Sequence, residues 1–184
     1  MNAYKFSREK LWCEAETRGK FPRWAVLFCH AMAEISRADL AAMNVAIEEA
    51  RAAAERGEVP VGAAIAFDDR IVARAGNRTI GDCDPTAHAE IVALREAAHA
   101  IGNYRLTGAT IYVTIEPCAM CAGAMIQARI ARLLYGADDP KGGAVRSCFS
   151  IFEHPALNHR VEVHAGVLEE ESRLLLRNFF AARR

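Results

Sequence analysis

Two short motifs constrain this chain more than any other feature of its sequence. The first is His-x-Glu, at His88 and Glu90, and the second is Pro-Cys-x-x-Cys, which supplies Cys118 and Cys121. One imidazole and two thiolates suit tetrahedral zinc, and three protein ligands leave a fourth position for water, as in catalytic zinc sites. We therefore expect His88, Cys118 and Cys121 to hold one Zn2+ ion, with Glu90 carrying protons beside the metal.

The spacing within the motifs predicts how the chain brings these residues together. Cys118 and Cys121 are three residues apart and share one face if they lie on a helix, whose first turn suits Pro117. The His-x-Glu motif lies at the start of another predicted helix, for which Asp84 or Thr86 is the expected cap. The metal should then lie off the ends of two helices that meet.

Two other interpretations of the motifs have to be weighed. A structural zinc site would need a fourth protein ligand, and an isolated Cys-x-x-Cys pair could be redox-active. The candidates for a fourth ligand are Cys83, His99, Cys148, His154, His159 and His164. None of them has tight ligand spacing to the cysteine pair, so a catalytic site is favoured over both alternatives.

Helical and strand patterns alternate along most of the chain. The predicted helices run from 37 to 56, from about 86 to 102, from 118 to 129 and from 168 to 182. The predicted strands are 59–67, 71–76, 109–115, 130–136 and 161–165. This alternation predicts an α/β fold, a three-layer α/β/α sandwich with a mixed five-stranded sheet.

Residues 1–35 look separate from this domain. The first 20 have no clean helical or strand period, and the segment contains Glu9, Glu14 and Glu16, whereas transit peptides are poor in acidic residues. We interpret it as an N-terminal extension that is poorly ordered or results from a mis-called start, with Met32 as the natural first residue. The domain proper would then span 36–184.

Composition limits the classes of partner. The chain has 184 residues, 52% of them hydrophobic, which suffices for one domain with a substantial core. No apolar run approaches the roughly 20 residues that span a bilayer, and the cysteines form no disulfide framework, so we expect a cytoplasmic protein without a membrane partner. The formal net charge is zero, so any contact with nucleic acid must depend on local patches.

Several segments outside the two motifs carry a resemblance to a known family. They are 58–62, 103–106, 158–162 and the closing pair Phe179-Phe180. With these segments and the two motifs, the sequence resembles the bacterial tRNA-specific adenosine deaminases of the cytidine deaminase-like superfamily, from about Ala38 onward. His-x-Glu followed by Pro-Cys-x-x-Cys is the signature of zinc-dependent deaminases of nucleosides and nucleobases.

The resemblance implies a reaction, partners and further site residues. Adenosine at the wobble position of a tRNA anticodon, typically that of an arginine tRNA, would become inosine by zinc-dependent hydrolysis. The enzyme would be a homodimer whose tRNA sites use both subunits. The residues assigned to substrate binding on this basis are Asn77, Ala89, Asp139, Asn158, Phe180, Arg183 and Arg184. Among them, Asn77 would hydrogen-bond the flipped base.

Two rival functions deserve comparison with this one. A deaminase of free guanine, cytosine or a nucleotide would use the same chemistry, and the zero net charge mildly favours it. The segment 158–162 and the Phe179-Phe180 pair oppose it, because they resemble the tRNA enzymes. A catalytically inactive RNA-binding subunit is opposed by the intact Glu90, which inactive members of the family typically lose.

Overall fold

The computed structural model describes residues 35–183, so the predicted extension lies outside the described residues apart from Ile35. The four α-helices of the described part are α1 (Arg37–Glu55), α2 (Ala89–Ile101), α3 (Ala119–Ala128) and α4 (Glu169–Ala181). The five strands are β1 (Gly62–Phe67), β2 (Arg70–Gly76), β3 (Thr110–Ile115), β4 (Arg132–Ala137) and β5 (Glu162–Ala165). A short 3-10 turn, Ile151–Glu153, precedes β5.

The strands form one mixed sheet in the order β2-β1-β3-β4-β5. Strand β1 pairs antiparallel with both β2 and β3, whereas β3, β4 and β5 run parallel to one another. Strands β2, β3 and β4 therefore point the same way and end along one edge of the sheet, where β1 begins. This edge is where the chain can gather polar side chains from distant segments.

Helices cover both faces of the sheet and confirm the predicted three-layer sandwich. Helices α1 and α4 pack on one face, around a core cluster that contains Met43, Tyr112 and Leu134. Helices α2 and α3 pack on the other face, around a larger cluster that contains Ile65 and Met125. Strand β1 is buried on both faces, as its nearly continuous run of apolar residues predicts.

Helix α1 begins where its sequence predicts. Ser36 is the N-cap and forms a capping box with Asp39, each side chain accepting a hydrogen bond from the backbone N–H of the other residue. The helix lies so close to β1 that a Cβ at Gly62 would overlap the carbonyl oxygen of Ala46. Glycine at this position is what lets the two backbones approach.

The starts of the two motif helices differ from the prediction. The N-cap of α2 is His88 itself, which makes no side-chain capping bond, and Asp84 instead accepts hydrogen bonds from Thr86. The N-cap of α3 is Cys118, so Pro117 precedes the helix and does not lie in its first turn. At both caps the side chain faces the cluster of His88, Cys118 and Cys121 and makes no capping hydrogen bond to its own helix.

None of the helices within residues 35–183 is both long and apolar enough to cross a lipid bilayer. The longest is α1, with 19 residues, and its exposed face is charged.

Asp39 joins α1 to the sheet and provides a test of the fold. Its buried carboxylate accepts a hydrogen bond from the Tyr112 hydroxyl at 2.8 Å and lies 3.4 Å from the Arg132 guanidinium. Asp39→Ala removes the capping box and leaves the hydroxyl without its acceptor, so we expect the free energy of unfolding to fall by roughly 2–4 kcal/mol. Denaturant titration measures this, with Glu48→Ala on the exposed face of α1 as the control.

The difference in the free energy of unfolding between the wild type and Asp39→Ala should depend on pH. Burial alone would raise the pKa of Asp39, but hydrogen bonds from Ser36 and Tyr112 outweigh it and hold the pKa below its ordinary value of 3.8. The stabilisation is therefore present above pH 3.8 and lost as pH falls through the lowered pKa. The difference between the wild type and Asp39→Ala should shrink in acid, and a constant difference would contradict this role of the carboxylate.

Candidate active site

The site lies at the sheet edge where β2, β3 and β4 end. Asn77 follows β2, Cys118 comes three residues after β3, and Asp138 follows β4. The backbone ties these segments together, because the N–H of Asn77 donates to the carbonyl of Val61 just before β1. The cysteine motif likewise forms an isolated β-bridge with the loop after β4.

His88, Cys118 and Cys121 form one compact cluster, as predicted. The His88 Nδ1 atom lies 3.7 Å from the Cys118 sulfur and 3.6 Å from the Cys121 sulfur. Bond lengths of about 2.0 Å to nitrogen and 2.3 Å to sulfur at a tetrahedral zinc ion give a nitrogen–sulfur separation of about 3.5 Å, close to the two distances here. The three side chains therefore fit a zinc ion in both donor type and spacing.

The electrostatics of the cluster favour a bound cation. The hydrogen bond from the Cys121 thiol, together with one from His88, lowers the pKa of Cys118 to about 3 despite its burial. The same hydrogen bond and burial raise the pKa of Cys121. The hydrogen bond with Cys118 raises the pKa of His88. The lowered pKa favours the thiolate form of Cys118, which lies at the start of α3, where the helix dipole stabilises negative charge.

Glu90 lies beside the cluster in the first turn of α2. Its side chain is 2% exposed, and its Oε2 atom is buried without a hydrogen-bond partner. Burial raises the pKa of this carboxyl. A carboxyl group that lines a cavity, has a raised pKa and has an unpaired oxygen is suited to general acid and base chemistry.

An open cavity of about 610 Å³ leads from solvent to His88, Glu90 and Cys118. Its volume lies within the usual range for small-molecule sites. Its apolar lining comes from Val59, Val61, Ile115, Leu176 and Phe180. Its polar lining outside the metal cluster comes from Asn77, Thr79, Glu116, Asp138, Asp139 and Lys141.

Two of the predicted substrate residues interact with each other. The side-chain oxygen of Asn77 accepts a hydrogen bond from the backbone N–H of Ala89 at 2.9 Å. This bond orients the Asn77 side chain, so its amide nitrogen is the group left for a ligand in the cavity. Ala89 is fully buried and acts here through its backbone, by fixing Asn77.

Two of the predicted residues, Asp139 in the loop after β4 and Phe180 in the last helix, line the cavity. Asp139 lines it and accepts a hydrogen bond from the backbone N–H of Lys141. Phe180 lines it with 49% of its surface exposed. The guanidinium of Arg183 lies 3.5 Å from the centre of the Phe179 ring, next to Phe180 along the chain. Arg184 lies outside the described residues.

Asn158 is placed elsewhere. Its side-chain oxygen accepts a hydrogen bond from Arg129, which is the C-cap of α3. The cysteine ligand Cys118 is the N-cap of the same ten-residue helix. A helix of this length spans about 15 Å, so Asn158 lies far from the cavity of its own chain. Its role in binding substrate stays a prediction.

The sequence reasoning missed several residues that line the cavity. Thr79, Glu116, Asp138 and Lys141 were not assigned to the site. Glu116 and Asp138 each follow a buried strand by one residue, so their position at the carboxyl ends of parallel strands could have identified them. Thr79 and Lys141 lie in loops whose course the sequence does not reveal.

Within residues 35–183, no other cysteine, histidine or acidic side chain joins the metal cluster. The candidates considered for a fourth ligand are therefore elsewhere in the described structure. For example, His159 contacts the carbonyl of Ile130, and the Cys148 thiol donates to the carbonyl of Pro140. The cluster has the three-ligand composition of a catalytic zinc site.

Comparisons with known proteins agree with this geometry. The sequence profile of the MafB19-like deaminases matches residues 37–184. A tRNA-specific adenosine deaminase from Agrobacterium fabrum (strain C58 / ATCC 33970) is 53% identical over 142 residues, which cover 77% of this chain and 93% of the relative.

Two solved structures of deaminases are similar to this chain. One comes from work on A-to-I editing by tRNA:A34 deaminases at the wobble position of transfer RNA. It is 52% identical, covers 73% of this chain and 98% of its own, and has a TM-score of 0.72. A guanine deaminase from Nitrosomonas europaea is 26% identical, covers 88% and 94% of the two chains and has a TM-score of 0.66.

The metal cluster can be tested without any assay of activity. Cys121→Ala removes a ligand and leaves only two, so we expect the bound metal to fall from one ion per chain to well below half. Elemental analysis of the purified protein measures this. Cys83→Ala, which removes an exposed thiol outside the cluster, is the control and should keep full metal content. Equal metal in the two variants would refute the ligand assignment.

Proposed function

The chain belongs to the MafB19-like deaminases and, among them, to the tRNA-specific adenosine deaminases, and on this premise we propose that it deaminates adenosine to inosine at the wobble position of a tRNA anticodon. One observation carries the proposal: the unpaired carboxylate oxygen of Glu90 lies beside the His88, Cys118 and Cys121 cluster at an open cavity. This arrangement brings together a metal site, a proton carrier and space for a base.

We propose zinc as the resident metal, one ion per subunit, held by His88, Cys118 and Cys121. The donor set and the spacing of the three ligand atoms support this choice. When bound, zinc is a Lewis acid that makes water a nucleophile at neutral pH.

Glu90 moves the protons of the reaction. Its Oε2 atom accepts a proton from the water that attacks C6 of adenine and delivers that proton to the ring nitrogen N1. The same carboxyl then assists protonation of the departing amine, so adenosine and water yield inosine and ammonia. The raised pKa that burial gives Glu90 suits this alternation between acid and base.

The cavity can hold the base only after the base leaves its stack. The Asn77 amide nitrogen is placed to hydrogen-bond it, and Phe180 offers an exposed aromatic face at the rim. An anticodon loop presents unstacked bases at small cost, whereas a duplex does not. Lys141 lines the cavity and supplies positive charge there, which a chain of zero net charge needs for RNA.

Two finer proposals concern the RNA and the compartment. The family resemblance implies an arginine tRNA as the substrate among tRNAs. We expect the enzyme to work in the cytoplasm, because its proposed substrate is a tRNA.

We further propose a homodimer that pairs through the outer face of α3. This helix is almost entirely apolar, yet Met120, Gly123 and Ala124 remain partly exposed on it. An apolar helix surface of this kind favours a partner, and a second copy of this chain is the occupant we propose. Asn158, at the far end of α3, would then serve RNA bound in the cavity of the other subunit.

The decisive assay offers the purified enzyme an anticodon stem-loop with adenosine at the wobble position. We expect inosine in this RNA, and none from free adenosine, guanine or cytosine at the same concentration. Glu90→Gln keeps the volume of the side chain but cannot carry the proton, so turnover should fall by at least about 10²-fold with metal content unchanged. Nucleoside analysis by mass spectrometry and elemental analysis measure the two quantities.

Other results of this assay would overturn the proposal. Turnover of guanine or cytosine alone would indicate a nucleobase deaminase, which the structural similarity to a guanine deaminase makes the relevant alternative. Full activity of Glu90→Gln would remove the proton carrier from the mechanism. Absence of turnover by metal-loaded wild type would favour an inactive RNA-binding subunit.

The dimer makes a separate prediction. Apart from its chain neighbours and the adjacent backbone of α3, no heavy atom of residues 35–183 lies within 4 Å of the position that a Cβ would take at Gly123, so an arginine there fits the isolated chain. Gly123→Arg should therefore convert the dimer to monomer while the unfolding temperature changes little. Sedimentation velocity measures the mass, with the exposed Glu153→Arg as the control. A Gly123→Arg dimer as tight as the wild type would place the interface elsewhere.

A further inference from the structure

Two loops contribute to the cavity wall, and each is hydrogen-bonded to one buried glutamate. The first loop, residues 77–88, contributes Asn77 and Thr79, and the second loop, residues 138–147, contributes Asp139 and Lys141. We propose that Glu58 and Glu116 are positioning residues that hold these loops in the shape that binds RNA. The inference rests on the function proposed above and concerns two carboxylates that are occupied by hydrogen bonds from the loops.

The carboxylate of Glu116 accepts hydrogen bonds from several residues of the second loop. Its Oε1 atom accepts hydrogen bonds from the backbone N–H groups of Val145, Arg146 and Ser147 at 3.0, 2.8 and 2.9 Å. Its Oε2 atom accepts one from the N–H of Asp139 at 3.1 Å and one from the Ser147 hydroxyl. One carboxylate thus closes both ends of the loop onto the residue that follows β3.

Glu58 does the same for the first loop with fewer bonds. Its carboxylate accepts hydrogen bonds from the backbone N–H groups of Ile80 at 3.0 Å and Gly81 at 2.8 Å. The Thr79 hydroxyl donates to the same carboxylate at 3.2 Å. Thr79 lines the cavity, so the bond links Glu58 directly to the wall.

The second loop packs Ala144 and Val145 into the core and the first loop packs Ala87 there, and hydrogen bonds hold the parts of both loops that lie at the surface. Both glutamates are 2% exposed, yet the loop residues they hold are mostly at the surface, with Ile80 67% exposed. Gly81, Arg146 and Ser147 are exposed as well. A loop segment with few buried apolar contacts opens easily unless another interaction restrains it. Bonds from backbone N–H groups to a carboxylate are the strong interactions available here.

The acceptor must be a carboxylate and the space is tight. A carboxylate only accepts hydrogen bonds, whereas glutamine would turn two N–H donors toward the N–H groups of the loop. A Cβ at Gly143 would overlap the Glu116 carboxyl group, so the second loop closes around Glu116 only with glycine there. Glu116 and Gly143 are therefore complementary, because the carboxylate occupies the space that the glycine leaves free.

The experiment compares Glu116→Gln and Glu58→Gln in the metal-loaded, full-length enzyme. Residue-resolved amide hydrogen exchange is measured by NMR, and KM and kcat are measured on the anticodon stem-loop. Glu116→Gln should speed exchange of the N–H groups of Asp139 and 145–147 by about tenfold or more, with Ile80 and Gly81 unchanged. Glu58→Gln should give the converse pattern, so each variant is the control for the other.

Both variants should raise KM for the stem-loop by about tenfold and change kcat by less than about twofold, because the reacting groups keep their places. The exposed Glu153→Gln should change none of these quantities. Faster exchange in both loops of each variant would show general destabilisation and overturn the proposal. So would unchanged KM, or a fall in kcat at constant KM.

Milder variants keep the test available if a glutamine variant does not fold. Ser147→Ala and Thr79→Ala each remove a single hydroxyl donor to one of the two carboxylates. They should reproduce the loop-specific exchange at smaller amplitude, and exchange that is equal in both loops would overturn the proposal. If the wild type fails to form inosine, the proposed function is wrong, while the exchange pattern still tests the attachment of the loops.

Discussion

The structure depends on the meeting of two helix starts at one edge of a sheet. His88 and Cys118 are the N-caps of their helices, so both ligands lie in extended backbone just before a helix begins. The ordinary capping side chain is absent at both positions. A cation held next to the positive ends of two helices would need thiolates to bind it, and Cys118 and Cys121 would provide them.

Buried acids recur around this cluster with distinct environments. Glu90 has an unpaired oxygen, and burial raises its pKa. Burial would also raise the pKa of Glu116, but hydrogen bonds from Ser147 and from loop N–H groups outweigh it and lower the pKa. Two glutamates of similar burial therefore have pKa values shifted in opposite directions, which suits them to different roles. In the proposed mechanism Glu90 exchanges protons, whereas the lowered pKa of Glu116 favours the charged form that accepts hydrogen bonds.

Much of this arrangement was predictable, and the limits of prediction have physical causes. The alternation of helices and strands predicted the three layers, and the two motifs predicted the cluster of His88, Cys118 and Cys121. The predicted starts of α2 and α3 were wrong because helix-propensity rules take no account of side chains that face a candidate metal site. Glu116 was overlooked because its partners are backbone N–H groups of a loop more than 20 residues away, which no side-chain pattern reveals. The place of Asn158 depends on tertiary packing at the end of α3.

The cavity wall has a consequence for how substrates are distinguished. Loops that are hydrogen-bonded to buried carboxylates rearrange little when a ligand binds. The RNA must then change its own conformation to fit the site, and that change costs free energy. The affinity for each RNA then depends on the free energy needed to turn one of its bases outward and to bend its backbone around the rim of the cavity. A tight loop that already displays its bases meets that requirement cheaply, and a paired strand does not. Selection among RNAs would thus reside partly in the mechanics of the nucleic acid itself.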